Sequence, residues 1–329
     1  MKVFAITQGD PAGIGPEIVL RSLDDADGLG FAPLVVAERC VLESVRELAP
    51  SVLPRVRFFD QTPTREEVLQ CDGIAAVDPV GVARSIAWGQ PTREDAHGTL
   101  ACLDTAVDLS LAGVADAVVT APLNKAAIAT HLDPEFRGHT DYLAARSRGG
   151  EAPRYGRDYL MAFYCDGLKV ALLSAHVPLR AALDLVQPDA VVEALECLAP
   201  FARGPIALAG FNPHAGEGGL LGEEDDALLV PAVATARARG LDVHGPESAD
   251  SLFFRARQGE FDWVLALYHD QGLIAVKTLA FGDAANVTLG LPFLRTSVDH
   301  GTAYDIAGRG RAEVLPLRVV YEKTLDLLG

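Results

Sequence analysis

Mostly parallel sheets with helices on both faces, an α/β protein of two domains, is what the sequence predicts, and three observations carry the prediction. Short Val/Ile/Ala-rich runs alternate with longer amphipathic stretches from one end of the chain to the other. The runs are apolar throughout rather than at every second residue, the pattern of strands buried on both faces. The chain has 329 residues, 49% of them hydrophobic, which is more than one core of ordinary size holds.

Strands are expected at residues 3–7, 33–37, 56–59, 117–120, 159–164, 169–174, 206–211, 263–268 and 287–289. Helical patterns fall between many of them, at 16–23, 41–48, 98–111, 190–199, 225–239, 272–281 and 315–328. Only Asp166-Gly167-Leu168 separates two neighbouring runs, which leaves room for a hairpin but not a crossover, so one antiparallel element enters there. No repeat, low-complexity tract or linker is visible. Breaks in the pattern near Pro122 and Gly282 divide the chain into a first domain, 1–122 plus 283–329, and a second, 123–282.

Composition narrows the function. Forty-five acidic against 28 basic side chains give a formal net charge of −17, a surface that repels nucleic acid and anionic lipid. An anionic substrate therefore needs a local island of cations or N–H groups. The five cysteines (Cys40, Cys71, Cys102, Cys165, Cys197) include no C-x-x-C pair and read as reduced core residues. The N-terminal apolar run ends before Gly9-Asp10-Pro11, too short for a signal peptide, and no run approaches the roughly 20 residues of a membrane helix. A cytoplasmic protein is expected.

Three histidines carry most of the chemistry. His176, His214 and His269 each stand at or just past the carboxyl end of a buried strand, the rim where open α/β sheets bind ligands. Three imidazoles converging there suit a divalent metal with an open coordination position, Zn²⁺, Co²⁺, Mn²⁺ or Mg²⁺. Three separate, hydrogen-bonded structural histidines are the alternative. Asp270, beside one candidate ligand, can orient a ring or take a substrate proton.

Other residues divide differently. His139 and Thr140 can bind a polar ligand, although Thr140 equally fits a helix N-cap. His300 opens a loop-like cluster, Asp299-His-Gly-Thr-Ala303, whereas His97, His131 and His244 read as surface residues. Lys277, Arg295 and Arg309 stand out in an apolar last third and, with Asn286, can form the cationic island. The stretch Gln8-Gly-Asp-Pro-Ala-Gly-Ile-Gly-Pro-Glu17 joins a strand to a helix but lacks the G-x-G-x-x-G spacing of a dinucleotide fingerprint.

Taken together, these segments resemble the 4-hydroxythreonine-4-phosphate dehydrogenase family. The matching stretches are Gly9-Asp-Pro-Ala-Gly-Ile-Gly-Pro-Glu17, Thr120-Ala-Pro-Leu-Asn-Lys125, Gly138-His-Thr-Asp141, His176-Val-Pro-Leu-Arg180 and Asn212-Pro-His-Ala-Gly-Glu-Gly-Gly219. Further along come Ala249-Asp-Ser-Leu-Phe253, Tyr268-His-Asp-Gln-Gly272 and the long run from Asn286 to Ala303. They occur in order over nearly the whole chain.

The resemblance implies a fold like that of isocitrate and isopropylmalate dehydrogenases, with NAD or NADP bound at His300, Gly301 and Thr302. It implies metal ligands at His176, His214 and His269, and substrate-binding roles for His139, Thr140, Lys277, Asn286 and Arg295. It also implies a homodimer, with the active site in the cleft and at the dimer interface and the metal site completed across that interface. Asp270 or Asp250 would take the hydroxyl proton, and the 3-oxo product would decarboxylate.

Members of the same family act on four-carbon sugar-acid phosphates or cis-dihydrodiol dicarboxylates. The Thr120-Ala-Pro form of one loop departs from the Gly-Pro form of some vitamin-pathway members, which leaves the substrate open. Phosphate acyltransferases, of related fold, and a metabolite-sensing binding protein are the readings from other classes. Neither needs three histidines at strand ends.

Overall fold

The computed structural model describes residues 1–25, 28–149 and 152–329. Twelve strands occur among them: β1 (Lys2–Thr7), β2 (Phe31–Val36), β3 (Val56–Phe59), β4 (Ile74–Val77), β5 (Ala117–Thr120), β6 (Leu160–Cys165), β7 (Leu168–Leu172), β8 (Ile206–Ala209), β9 (Val243–Glu247), β10 (Trp263–Ala266), β11 (Ala285–Leu289) and β12 (Leu294–Ser297). The chain is an α/β protein of two compact units, Met1–Ala152 with Pro292–Gly329, and Pro153–Leu291. No helix among the described residues is long and apolar enough to cross a membrane.

In the first unit the strand order is β3-β4-β2-β1-β5-β12, and every pairing is parallel. The helix Arg93–Leu111 packs on β1 and β5. Its start is set by sequence: Thr92 accepts a hydrogen bond from Asp95 N while the Asp95 carboxylate accepts from Thr92 N, a reciprocal capping box.

Two shorter helices, Lys125–His131 and His139–Ser147, dock against this one, where Ile128 and Phe136 pack with Ala96 and Tyr142. Residues 123–152 therefore belong to the first unit, and the domain break expected near Pro122 lies near residue 152 instead.

The second unit orders its strands β11-β6-β7-β10-β8-β9. β6 and β7 form the expected hairpin around Asp166-Gly167, with Cys165 opposite Leu168. β11 pairs antiparallel with β6 from Ala285 to Leu289, so the second unit runs to Leu291 rather than ending at Gly282. β7, β10, β8 and β9 run parallel. The three central strands β7, β10 and β8 are the ones that His176, His269 and His214 follow.

Three strands escape the pattern reading for identifiable reasons. β9 contains Gly245 and Pro246, tolerated because it lies at the sheet edge. β12 carries Arg295 at its centre, a charge that hides a buried strand. β4 is only four residues long and contributes little periodicity.

Candidate active site

Polar groups gather separately in each unit. In the second, the His176 and His269 rings lie together, centroids 5.5 Å apart. His269 opens the helix His269–Leu279, and its Nδ1 sits 2.7 Å from Asp270 Oδ1. That contact occupies one ring nitrogen and leaves Nε2 for a ligand, the arrangement in which a carboxylate orients a metal-binding histidine. Gln271 braces the start of the helix, accepting from Leu267 N at 2.7 Å and donating to Gly210 O at 2.9 Å.

His214 sits in the turn Pro213–Glu217, where several residues take left-handed backbone angles. Asp250 is held below the usual carboxylate range first by the Ser248 hydroxyl, which donates to its Oδ1 at 2.7 Å, and to a lesser degree by the charge of His214. Among the described residues no three His, Cys, Asp or Glu side chains are grouped to hold a metal. The chain thus brings His176 and His269 together, and the three expected ligands do not form one metal-holding group among the described residues.

Lys277 lies further along the His269 helix, its ammonium 5.5 Å from the Phe281 ring centroid, with its pKa lowered by partial burial. Asn286, on β11, has an Oδ1 cut off from solvent and no hydrogen-bond partner among the described residues.

The first unit holds the other group. Arg295 is 2% exposed, and its Nη2 donates to Thr120 Oγ1, at the end of β5, at 2.7 Å. Burial pulls its pKa down to about 9, which still leaves the guanidinium charged at neutral pH. His139 begins its helix, and its Nε2 is shielded from solvent and lacks a partner among the described residues. Burial first, then the charges of Arg295 and Lys125, push its pKa well below 6.5, so the ring is neutral at pH 7. Gly138, not Thr140, is the N-cap of this helix, which leaves Thr140 inside the first turn. Thr120 and Lys125 are site neighbours that the sequence reading did not single out, although both lie in the Thr120–Lys125 motif.

His300, Gly301 and Thr302 lie in a loop of the first unit, with His300 Nδ1 3.1 Å from Gly301 O. Thr302 rests on the N-terminal loop: its carbonyl accepts from Ile14 N at 3.0 Å, and a Cβ at Gly13 would come within 2.9 Å of its own Cβ. Only glycine permits that approach. Next in the chain, Tyr304 donates to the buried Asp10 carboxylate and accepts from Asn124 Nδ2 at 2.6 Å. Asp10 Oδ1 also accepts from Ala12 N. The N-terminal loop thus uses amides of Ala12 and Ile14 internally, in keeping with its lack of a dinucleotide fingerprint. His97, His131, His244 and Arg309 are exposed.

Comparison with known proteins supplies what geometry alone leaves general. Residues 31–319 match the family model described as pyridoxal phosphate biosynthetic protein PdxA. A D-threonate 4-phosphate dehydrogenase of Salmonella typhimurium is 40% identical, with 99% of each chain covered. A 4-hydroxythreonine-4-phosphate dehydrogenase of Desulfosudis oleivorans is 38% identical, covering 98% of this chain and 95% of that one. Among solved structures, the 4-hydroxythreonine-4-phosphate dehydrogenase of Klebsiella pneumoniae superimposes with a TM-score of 0.84 at 34% identity over 100% of both chains.

Proposed function

The chain belongs to the PdxA family of pyridoxal phosphate biosynthetic proteins and is a dehydrogenase acting on a hydroxyl group, and on that premise we propose that its substrate is 4-hydroxythreonine 4-phosphate. The observation that carries the proposal is the pair of orphaned polar atoms, His139 Nε2 and Asn286 Oδ1. A polar group cut off from water without a partner costs about 1–3 kcal/mol, so each marks a place where a polar substrate is expected to supply the missing bond.

The residue roles follow from charge and donor type. Arg295 and Lys277 are the cations for a substrate bearing phosphate and carboxylate, which a chain of net charge −17 would otherwise repel. His139, being neutral, orients by hydrogen bonding rather than by charge, and Thr140 adds a hydroxyl. Asp270 or Asp250 accepts the proton of the secondary alcohol.

The donor set suits a divalent metal: two adjacent imidazoles, one already oriented by a carboxylate, with His214 as the third. Such a metal would supply Lewis acidity at the alcohol, and NAD or NADP at His300, Gly301 and Thr302 would accept the hydride. The product is a 3-oxo acid, whose loss of CO₂ gives 3-amino-2-oxopropyl phosphate.

A homodimer completes this reading, because one chain does not group all three histidines. Large apolar side chains exposed in the second unit support it: Leu179 at 56%, Leu220 at 77%, Phe254 at 68% and Phe281 at 83%. We place the enzyme in the cytoplasm on the same premise.

One specific observation favours a second substrate. The relative at 40% identity carries the name D-threonate 4-phosphate dehydrogenase, and that molecule differs from 4-hydroxythreonine 4-phosphate by a hydroxyl in place of the amine at C2. Following NADH formation with both substrates, with and without a chelator, decides between them. Chelator-sensitive turnover with a higher kcat/KM for the amine is expected. A preference for the hydroxyl compound would move the enzyme to the sister activity, and no reduction of either nicotinamide would remove the dehydrogenase reading.

Replacing His139 by glutamine is expected to raise the substrate KM about tenfold, the cost of one misplaced buried hydrogen bond. The sign of the pKa shift adds a condition. Because the wild-type ring is already neutral above pH 6.5, wild type and variant should show the same KM profile from pH 6.5 to 9. A transition near pH 6.5 in wild type that disappears in the variant would count against the assignment.

A further inference from the structure

The turn that carries His214 is strained, and a buried carboxylate holds it. His214, Ala215 and Glu217 have φ of 53°, 50° and 45°. Each such residue costs on the order of 1 kcal/mol or more, and several in succession persist only where their surroundings fix them.

The fixing contacts come from Asp225, which is completely buried. Its Oδ1 accepts from Phe211 N at 2.7 Å, and its Oδ2 accepts from Asn212 N at 2.9 Å and from Asn212 Nδ2 at 3.1 Å. Both backbone donors immediately precede the turn. At the far side, Leu221 N donates to Gly216 O at 3.0 Å. A Cβ at Gly216 would lie 2.9 Å from Gly222 O and 3.3 Å from Asp225 Oδ2, so the carboxylate also fills the inside of the turn. Asp225 itself opens a π-helical turn, Asp225–Leu229, a feature that recurs at functional sites.

We propose that Asp225 is a positioning residue: it clamps the 211–217 turn in the strained conformation that presents the His214 imidazole to the metal. The proposal rests on the reading of His214 as a ligand. Burying a carboxylate is costly, and here it is answered by three N–H donors all belonging to residues just ahead of that histidine. Asparagine at 225 keeps the shape but turns one acceptor into a donor, so one of the two backbone amides loses its partner.

The test loads the purified metal-free protein with Co²⁺, which reports its own ligand geometry through its visible spectrum. Asp225→Asn is expected to lower Co²⁺ affinity 10- to 100-fold and alter that spectrum, with the Kd for NAD within twofold of wild type. Asp226→Asn, at an exposed neighbouring site, should change neither. His214→Ala is measured alongside. If it loses Co²⁺ affinity while folded Asp225→Asn keeps wild-type affinity and spectrum, the positioning role alone is overturned. If His214→Ala itself keeps both, the ligand reading falls and this inference with it. Should Asp225→Asn fail to fold, Asn212→Ala removes one of the three bonds without stranding the carboxylate. A several-fold loss of Co²⁺ affinity then supports the clamp, and an unchanged affinity overturns it.

Discussion

Alanine at position 269 is expected to empty the metal site and lower kcat/KM about a thousandfold or more. His269 contributes one of the two adjacent imidazoles, and its Nδ1 is paired with the Asp270 carboxylate at 2.7 Å. Without it the adjacent pair is lost and His176 and His214 alone remain of the candidate ligands. Loss of Lewis-acid assistance at the alcohol is worth several kcal/mol, and three powers of ten correspond to about 4 kcal/mol.

The fold should survive the change. The helix His269–Leu279 is anchored by Leu273 and Val276, both buried in the core of the second unit, whereas the His269 side chain is 38% exposed. Metal content by mass spectrometry, NADH formation and a melting curve check the three parts separately. A variant with wild-type metal content and rate would remove His269 from the ligand set. One that no longer melts cooperatively would say that the residue serves the fold instead.

The legible and illegible parts of this site differ for physical reasons. β8 and β10 are uninterrupted apolar runs and β7 is broken only by Lys169, so a polar histidine just beyond each is conspicuous against them. Strand position and residue type could therefore be read directly. Grouping could not: His176 and His269 meet because β7 and β10 are neighbours in the sheet, and neighbour order is a tertiary property. The domain break went astray for the same reason. Nothing in residues 125–147 says that two short helices will dock on Arg93–Leu111, yet that docking moves His139 and Thr140 into the first unit.

Local chemistry misled in two places. Thr140 has the residue type of an N-cap, but Gly138 takes that position with a φ of 143°, where a β-carbon is disfavoured. Asp225 falls in a stretch that reads as ordinary helix from its composition. Its role appears only when the amides of Phe211 and Asn212 arrive from a segment with a different periodicity. Buried polar residues whose partners are distant in sequence leave no periodic trace, and Arg295 within β12, bonded to the Thr120 hydroxyl, is a further case.

Arg295 is also the residue whose loss should most weaken substrate binding. Its guanidinium is 2% exposed, and burial has already pulled its pKa down to about 9, a desolvation cost that a phosphate or carboxylate ligand would offset. Truncating one partner of such a buried charge pair costs about 2–5 kcal/mol, so Arg295→Ala is expected to lower kcat/KM by about 30-fold to several thousandfold. The KM for NAD should stay near wild type.

Lysine at 295 should recover little of the loss. A point charge cannot reproduce the planar fork that now donates to Thr120 Oγ1 at 2.7 Å and whose geometry matches a carboxylate or phosphate. Stability separates binding from folding. Removing a desolvated cation should leave the melting temperature of the ligand-free protein nearly unchanged, while the rise in melting temperature produced by saturating substrate should disappear. An Arg295→Ala protein that keeps both its substrate KM and that ligand-induced rise would show that the buried guanidinium serves β5 and β12 alone, and the anion site would then have to be sought at Lys277.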